Sequence, residues 1–247
     1  MRGLRVMEAL TEAGARGKLG VIELSAACEL SAATTHRLLA TLSGEGYVQQ
    51  DGSHDGYRLG PRLFALASAA ESDMASLRLR ALPAMTSLRD LVDETVNLAV
   101  LDRRHIIYVD QVESGRPVRA FNRIGNRVPA HASAAGKALL AEESEAVLSV
   151  LAQEAMLDAL TADTITSGFE LVAHLGDVRN RGFALDLGEY DPEVFCVAAA
   201  IPGPRNRPPA AVSVSGPAER MRRIDLGELG SQVAAAAADI EASGESV

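Results

Sequence analysis

The chain has only two cysteines among its 247 residues and no long apolar run. Cys28 and Cys196 lie far apart with no CxxC pair. That argues against a disulfide framework and against structural zinc, and makes the cytosol the expected compartment. The longest apolar stretches are Phe195 to Ile201 and Val233 to Ala238. Both fall short of the about 20 residues with which a helix crosses a bilayer. Glu8 stands where an export signal would need its apolar core, so secretion is not expected. The five histidines (His36, His54, His105, His131, His174) are scattered without ligand spacing, so no metal site is expected. Gly136-Lys137 lacks the rest of a phosphate loop. No cofactor is expected, and no internal repeat is present.

A surplus of basic charge is missing as well. The net charge is −9, and a uniformly acidic chain repels nucleic acid. The charge is not uniform, however. Residues 1–62 carry seven bases (Arg2, Arg5, Arg16, Lys18, Arg37, Arg58, Arg62) against seven acids, so all the surplus acid lies in the remainder. That asymmetry is in keeping with two parts that have different partners.

The first part reads as three short helices and a hairpin. Leu4, Met7, Ala9 and Leu10 keep a helical period that Gly14 and Gly17 stop, and Val21, Leu24, Ala27 and Cys28 share a second helical face. Ser31 is suited to cap a third helix, Ala32 to Ser43, with Leu38, Leu39 and Leu42 inward. Tyr47 to Gln50, a polar turn at Asp51 to Gly56, and Tyr57 to Gly60 make the hairpin. This is the winged helix-turn-helix arrangement, in which one helix enters a major groove. The outward face of the third helix carries Ala33, Thr34, His36, Arg37 and Thr41, small or hydrogen-bonding groups suited to base edges and phosphates. Arg58 on the hairpin can reach the DNA backbone. The competing reading is a small helical bundle without a DNA role.

Pro61 to Ala75 reads as one helix and Leu79 to Val92 as another. Strand patterns follow at Thr95 to Leu101, Ile106 to Val112, Arg119 to Asn122, Phe183 to Leu187, Phe195 to Ile201 and Ala210 to Ser215. Helical patterns cover Ser133 to Leu140, Glu145 to Leu151, Gly168 to Arg181 and Asp225 to Ala242, and Pro202 to Pro209 is a loop. This predicts an α+β domain with a mainly antiparallel sheet. The start of the helix at His131 to Lys137 is rich in small residues, and its free N–H groups suit a carboxylate. Ser213 and Ser215, two apart, point to the same face of one strand.

The segments GLRVMEAL, IELSAACELSAATTHRLLATLSGEGYVQQDG and GYRLGPRLFALA resemble the DNA-binding half of the IclR (isocitrate lyase regulator) family. The segments ETVNLAVLD, IIYVDQVES, RIGNRVPAHASAAGKALLA, RNRGFALDLGEYDPEVFCVAAAI and AAVSVSGPAERM resemble its effector-binding domain, whose fold is GAF/PAS-like. The resemblance implies a division into residues 1–60 (winged helix-turn-helix), 61–75 (linker helix), 76–241 (effector-binding domain) and 242–247 (flexible tail). It makes Ser31 to Leu42 the recognition helix, which adds Ser31 and Thr35 to the DNA-facing set. One departure is that Ala32 and Ala33 stand where the family often carries Lys or Arg, which lowers the expected number of phosphate contacts. It also implies that Ala134, Ala135, Asp186, Cys196, Ser213 and Ser215 line an effector pocket with Ala120, Val128 and Val194 as its apolar wall. The expected partners are double-stranded operator DNA, a small organic effector (acidic or aromatic) and a second copy of the chain, as a homodimer or a dimer of dimers. No membrane partner is expected.

Other readings of single residues stand beside these. Cys196 can be a buried core thiol, Asp186 can pair with Arg179 or Arg181, and Lys137 can lie on the surface. The two serines can cap the turn at Gly216-Pro217. Cys196, His131 and Asp186 can also be read as nucleophile, base and orienter of a hydrolase. But Cys196 lies in mid-strand, away from any group that would ionise it. A metabolite sensor without a DNA role is the remaining alternative.

Overall fold

The structure is a computed structural model that describes residues 1–13, 18–52, 56–120, 122–203 and 209–243. The chain divides into two compact units, Met1–Ser72 and Asp73–Val247. Gly14 and Gly17, residues 53–55 of the polar turn at 51–56, much of the loop at 202–209 and the end of the tail at 242–247 lie outside the described residues.

In the first unit α1 (Arg2–Glu12), α2 (Val21–Cys28) and α3 (Ala32–Gly44) precede an antiparallel hairpin of β1 (Val48–Gln50) and β2 (Tyr57–Leu59). The core is small: Val6 and Leu10 from α1, Leu24 and Cys28 from α2, Leu39 from α3, and Val48 and Tyr57 from the hairpin. Between α2 and α3 the backbone turns on Glu29, which takes a left-handed conformation at φ 54°. Ser31 then caps α3, its hydroxyl accepting from the Thr34 amide at 3.3 Å, so the outward face of α3 is set by where Leu39 must go.

The helix α4 (Arg62–Val92) is continuous, where two helices separated near residue 76 were expected. Pro83 lies inside it. A proline costs a helix one backbone hydrogen bond, which the burial of Leu77, Ala81, Met85 and Leu88 offsets. The division between the two units falls within this helix.

The second unit is built on a six-stranded sheet in the order β5-β4-β3-β8-β7-β6, antiparallel throughout. The strands are β3 (Thr95–Asp102), β4 (His105–Val112), β5 (Arg127–Pro129), β6 (Ala184–Leu187), β7 (Val194–Ile201) and β8 (Ala210–Pro217). The strand expected at Arg119 to Asn122 is not formed at Arg119, Ala120 or Asn122, and Phe121 lies outside the described residues. Arg119 instead pairs with Glu113, the Ala120 carbonyl accepts from Thr95 Oγ1 at 3.3 Å, and the edge of β4 is taken by β5. Valines on one sheet face (Val96, Val212, Val214) meet the second half of α4 and the closing helix α9 (Leu226–Ala242). The other face is covered by α5 (Ala134–Ala141), α6 (Glu145–Ala152) and α7 (Gly168–Arg181), with α8 (Ala218–Met221) following β8. Alanines dominate this second face at Ala99, Ala184, Ala198 and Ala211, which lets α5 lie close to the sheet.

Candidate functional site

On α3, Ala33, His36, Arg37 and Thr41 are exposed, Thr34 is half-buried, and Ser31 is exposed at the cap. Spacings of three, four and eight residues put Ala33, His36, Arg37 and Thr41 on one face. Arg58 is exposed on β2. Neither Arg37 nor Arg58 has an ion-pair partner among the described residues. Thr35 corrects the expectation, because it is fully buried. Its hydroxyl donates to the Ser31 carbonyl at 3.2 Å and meets Ser25 Oγ of α2 at 3.0 Å. It pins α3 to α2 and has no access to a base.

In the second unit a polar row crosses the alanine-lined face of the sheet. The strand register sets Asp186 opposite Cys196, Cys196 opposite Ser215, and Ser215 opposite Thr95, across β6, β7, β8 and β3. All four are buried. Buried polar groups are costly unless they are hydrogen-bonded, and most of this row is. Ser215 Oγ accepts from Asn97 Nδ2 and from the Cys196 thiol, each at 3.1 Å. Asp186 Oδ1 accepts from the amides of Gly188 and Glu189 at 3.1 and 2.7 Å.

One end of this row opens into a cavity of about 650 Å³. Among the residues proposed from sequence, Ala120, Val128, Asp186, Val194 and Cys196 line it. Ser215 does not, because it is tied beneath the wall by Asn97 and Cys196. Ser213 lies one register step further from Asp186 along β8, buried beside Asn97, with its hydroxyl unpartnered. Ala134 and Ala135 are buried in the first turn of α5, directly after the lining residue Ser133. The Ser133 hydroxyl accepts from the Gly136 amide at 3.2 Å. This leaves the amides of Ala134 and Ala135 as the donors at the helix start. Tyr108, Ser133, Tyr190 and Arg222 also line the cavity and were not foreseen. Tyr108 was open to detection, since Ile106 and Tyr108 are the two buried alternate positions of β4. Tyr190 and Arg222 sit in irregular segments that carry no period.

Burial sets the electrostatics. It pushes the Asp186 carboxyl up to about 6, against the two amide bonds and the nearby Lys137 charge, which pull it down. Burial holds the Tyr108 phenol well above its ordinary value, and Cys196, Asp186 and Tyr190 add to that. It raises the Cys196 thiol as well, so the sulfur stays protonated. His131 Nε2 meets the Asp158 carbonyl at 3.0 Å, so this nitrogen is not free to act as a base. Asp186 pairs with neither Arg179 nor Arg181. Arg179 binds the carbonyls of Ala141 and Glu143, and Arg181 binds that of Phe183.

Lys137 is not on the surface. Every residue of α5 is buried, and Lys137, fully covered, forms an ion pair with Glu189. The backbone of the Gly188–Glu189 segment is held in turn by Thr161 and Thr164, whose hydroxyls donate to its carbonyls at 2.7 and 2.6 Å. The segment that follows the lining residue Asp186, up to Glu189, is therefore fixed from both sides. Among the described residues no group of three or more His, Cys, Asp or Glu is placed to hold a metal ion, and no helix is long and apolar enough to cross a membrane.

Two family models match the chain. The bacterial transcriptional regulator IclR C-terminal model matches residues 70–242, and the IclR helix-turn-helix domain model matches residues 1–52. The acetate operon repressor of Salmonella typhimurium is 36% identical over 243 residues, which are 97% of this chain and 87% of the repressor. The transcriptional repressor IclR of Escherichia coli is 35% identical over the same shares. Among solved structures, an IclR homolog from Microbacterium hydrocarbonoxydans complexed with 4-hydroxybenzoate superposes with a TM-score of 0.81 at 23% identity, covering 100% of this chain and 98% of that one. An IclR transcriptional regulator from Alicyclobacillus acidocaldarius gives 0.80 at 25% identity, covering 98% and 96%.

Proposed function

The chain belongs to the IclR family of bacterial transcriptional regulators, and from that premise we propose that α3 and the hairpin read an operator while the cavity beside α5 takes a small organic acid that changes operator affinity. The observation that carries the reading of the second unit is the cavity itself. It is of ligand size, walled by Ala120, Val128 and Val194, with a few polar groups converging from a helix start and a buried carboxyl. Sites for small molecules have this composition. A carboxylate suits the start of α5, where unspent amides and the helix dipole favour negative charge. The 4-hydroxybenzoate of the Microbacterium homolog supports an acidic or aromatic ligand.

On the DNA side, Arg37 and Arg58 supply the phosphate or guanine contacts, while Ala33, Thr34, His36 and Thr41 approach base edges. Ser31 fixes the helix start. A single helix reads too few base pairs for useful specificity, so the active form is a homodimer or a dimer of dimers. In support, α4 exposes Phe64 and Leu66 before the division between units and Leu79 and Leu82 after it. The compartment that fits such a regulator is the cytoplasm. A protonated Cys196 and an engaged His131 favour a binding role over hydrolysis.

The test is a gel-shift of the full chain on the DNA upstream of its own gene, repeated with small acids. A shifted band that survives excess unrelated duplex, and that an acid strengthens or abolishes, is the expected result. Binding that unrelated duplex competes away equally contradicts the proposal.

A further inference from the structure

Tyr108 lines the cavity from β4 and is 5% exposed, yet its hydroxyl makes no hydrogen bond to any described residue. The hydroxyl oxygen is not itself fully enclosed but opens onto the cavity, and a polar tip held there without a protein partner needs an explanation. Packing does not supply it. Tyr108 belongs to the apolar cluster of Ala99, Ile106 and Val128, where a phenylalanine would fill nearly the same space without a lone hydroxyl. Burial keeps the phenol protonated, so it stands in the cavity as a neutral donor. Asp186 lines the same cavity. Asp186 Oδ1 is occupied by two amides, and Oδ2 has no partner among the described residues. The cavity thus presents one donor and one acceptor that the protein leaves unused. A ligand hydroxyl or carbonyl oxygen satisfies the donor, and a ligand N–H or O–H satisfies the acceptor.

We propose that Tyr108 is a specificity-determining residue of this cavity: its hydroxyl reads a neutral oxygen, hydroxyl or carbonyl, on an organic acid whose anionic end lies elsewhere in the site. The proposal rests on the cavity being the ligand site. A site that holds a polar group ready for a ligand oxygen rejects the analogue lacking that oxygen, because the group is then buried unpaired.

The experiment titrates matched acids into the full-length chain and into Tyr108→Phe by calorimetry. The pairs are acetate with glycolate, propionate with lactate, and benzoate with 4-hydroxybenzoate. Wild type takes the oxygenated member of at least one pair roughly tenfold or more tightly, and Tyr108→Phe loses most of that preference. The ligand-free melting temperature of Tyr108→Phe does not fall, since its hydroxyl has no protein partner to lose. Three results overturn the assignment while leaving the cavity as the ligand site: no preference in wild type, a preference that survives in Tyr108→Phe, or equal loss of both members together with a lowered melting temperature. If no acid of any pair binds wild type, the reading of the cavity falls and takes this assignment with it.

Discussion

Lys137 and Glu189 show what a single buried charge demands. The lysine is fully covered and the carboxylate nearly so. Removing one partner of such a pair leaves the other charge stranded, at a cost of about 3–5 kcal/mol, whereas replacing both with apolar groups is often tolerated. Lys137→Met is therefore expected to lower the denaturation midpoint sharply, and adding Glu189→Leu to restore most of it. Equal stability of wild type and Lys137→Met contradicts the buried pair. Asp186 makes a second demand. Its carboxyl is raised from an ordinary 3.8 to about 6, so between those values the folded state holds a proton that the unfolded chain has released. The stability it confers is full below about pH 4 and is lost as pH rises through about 6, by about 3 kcal/mol. Asp186→Asn removes that dependence. Denaturation at pH 4 and pH 7 checks it: wild type loses more stability across the interval than Asp186→Asn, and equal losses contradict the raised carboxyl. Gly136 makes a steric demand. A Cβ there would run into the backbone of Ala130, so Gly136→Ala must displace the turn before α5, at about 1–3 kcal/mol. Thermal denaturation reads the cost directly, and an unchanged midpoint contradicts the close contact.

At the scale of an element, α3 separates the side chains that hold it from those that act outward. Thr35 bonds to α2, whereas Arg37 touches nothing charged among the described residues. Arg37→Ala is expected to weaken operator binding by about 1–3 kcal/mol and to leave the melting temperature unchanged. Thr35→Val is expected to do the reverse, with about 1 kcal/mol of stability lost and base preference retained. If the two variants behave alike, the assignment of faces is wrong. With few basic groups on the DNA side, operator affinity falls only moderately with salt, and each phosphate contact removed lowers the log–log slope by about 0.9.

For the molecule as a whole, periodicity made most elements legible. Helices at Gly168–Arg181 and after Asp225, and strands ending at Leu187 and Ile201, fall where spacing and caps put them. α4 was read as two helices with a gap at residues 76–78, because the burial of Leu77 and Ala81 that carries the helix across depends on a sheet assembled from distant sequence. The cavity was legible in part for a similar reason. Period two tells which face of β8 carries Ser213 and Ser215, but not how deep each lies. Depth depends on cross-strand register, which puts Cys196 between Ser215 and Asp186. Tyr108 was overlooked because an aromatic in a strand reads as core, and its polar tip matters only when no partner comes to meet it.

The claim that joins the two units is that filling the cavity changes how α3 holds DNA, and the coupling must be reciprocal. Its most direct measure is the operator affinity of the full chain, taken with and without a saturating acid shown by calorimetry to bind stoichiometrically. The account predicts a change of about 5- to 150-fold, matched by an equal change in the acid's affinity when operator is present. An acid that fills the site and leaves operator affinity the same would contradict it.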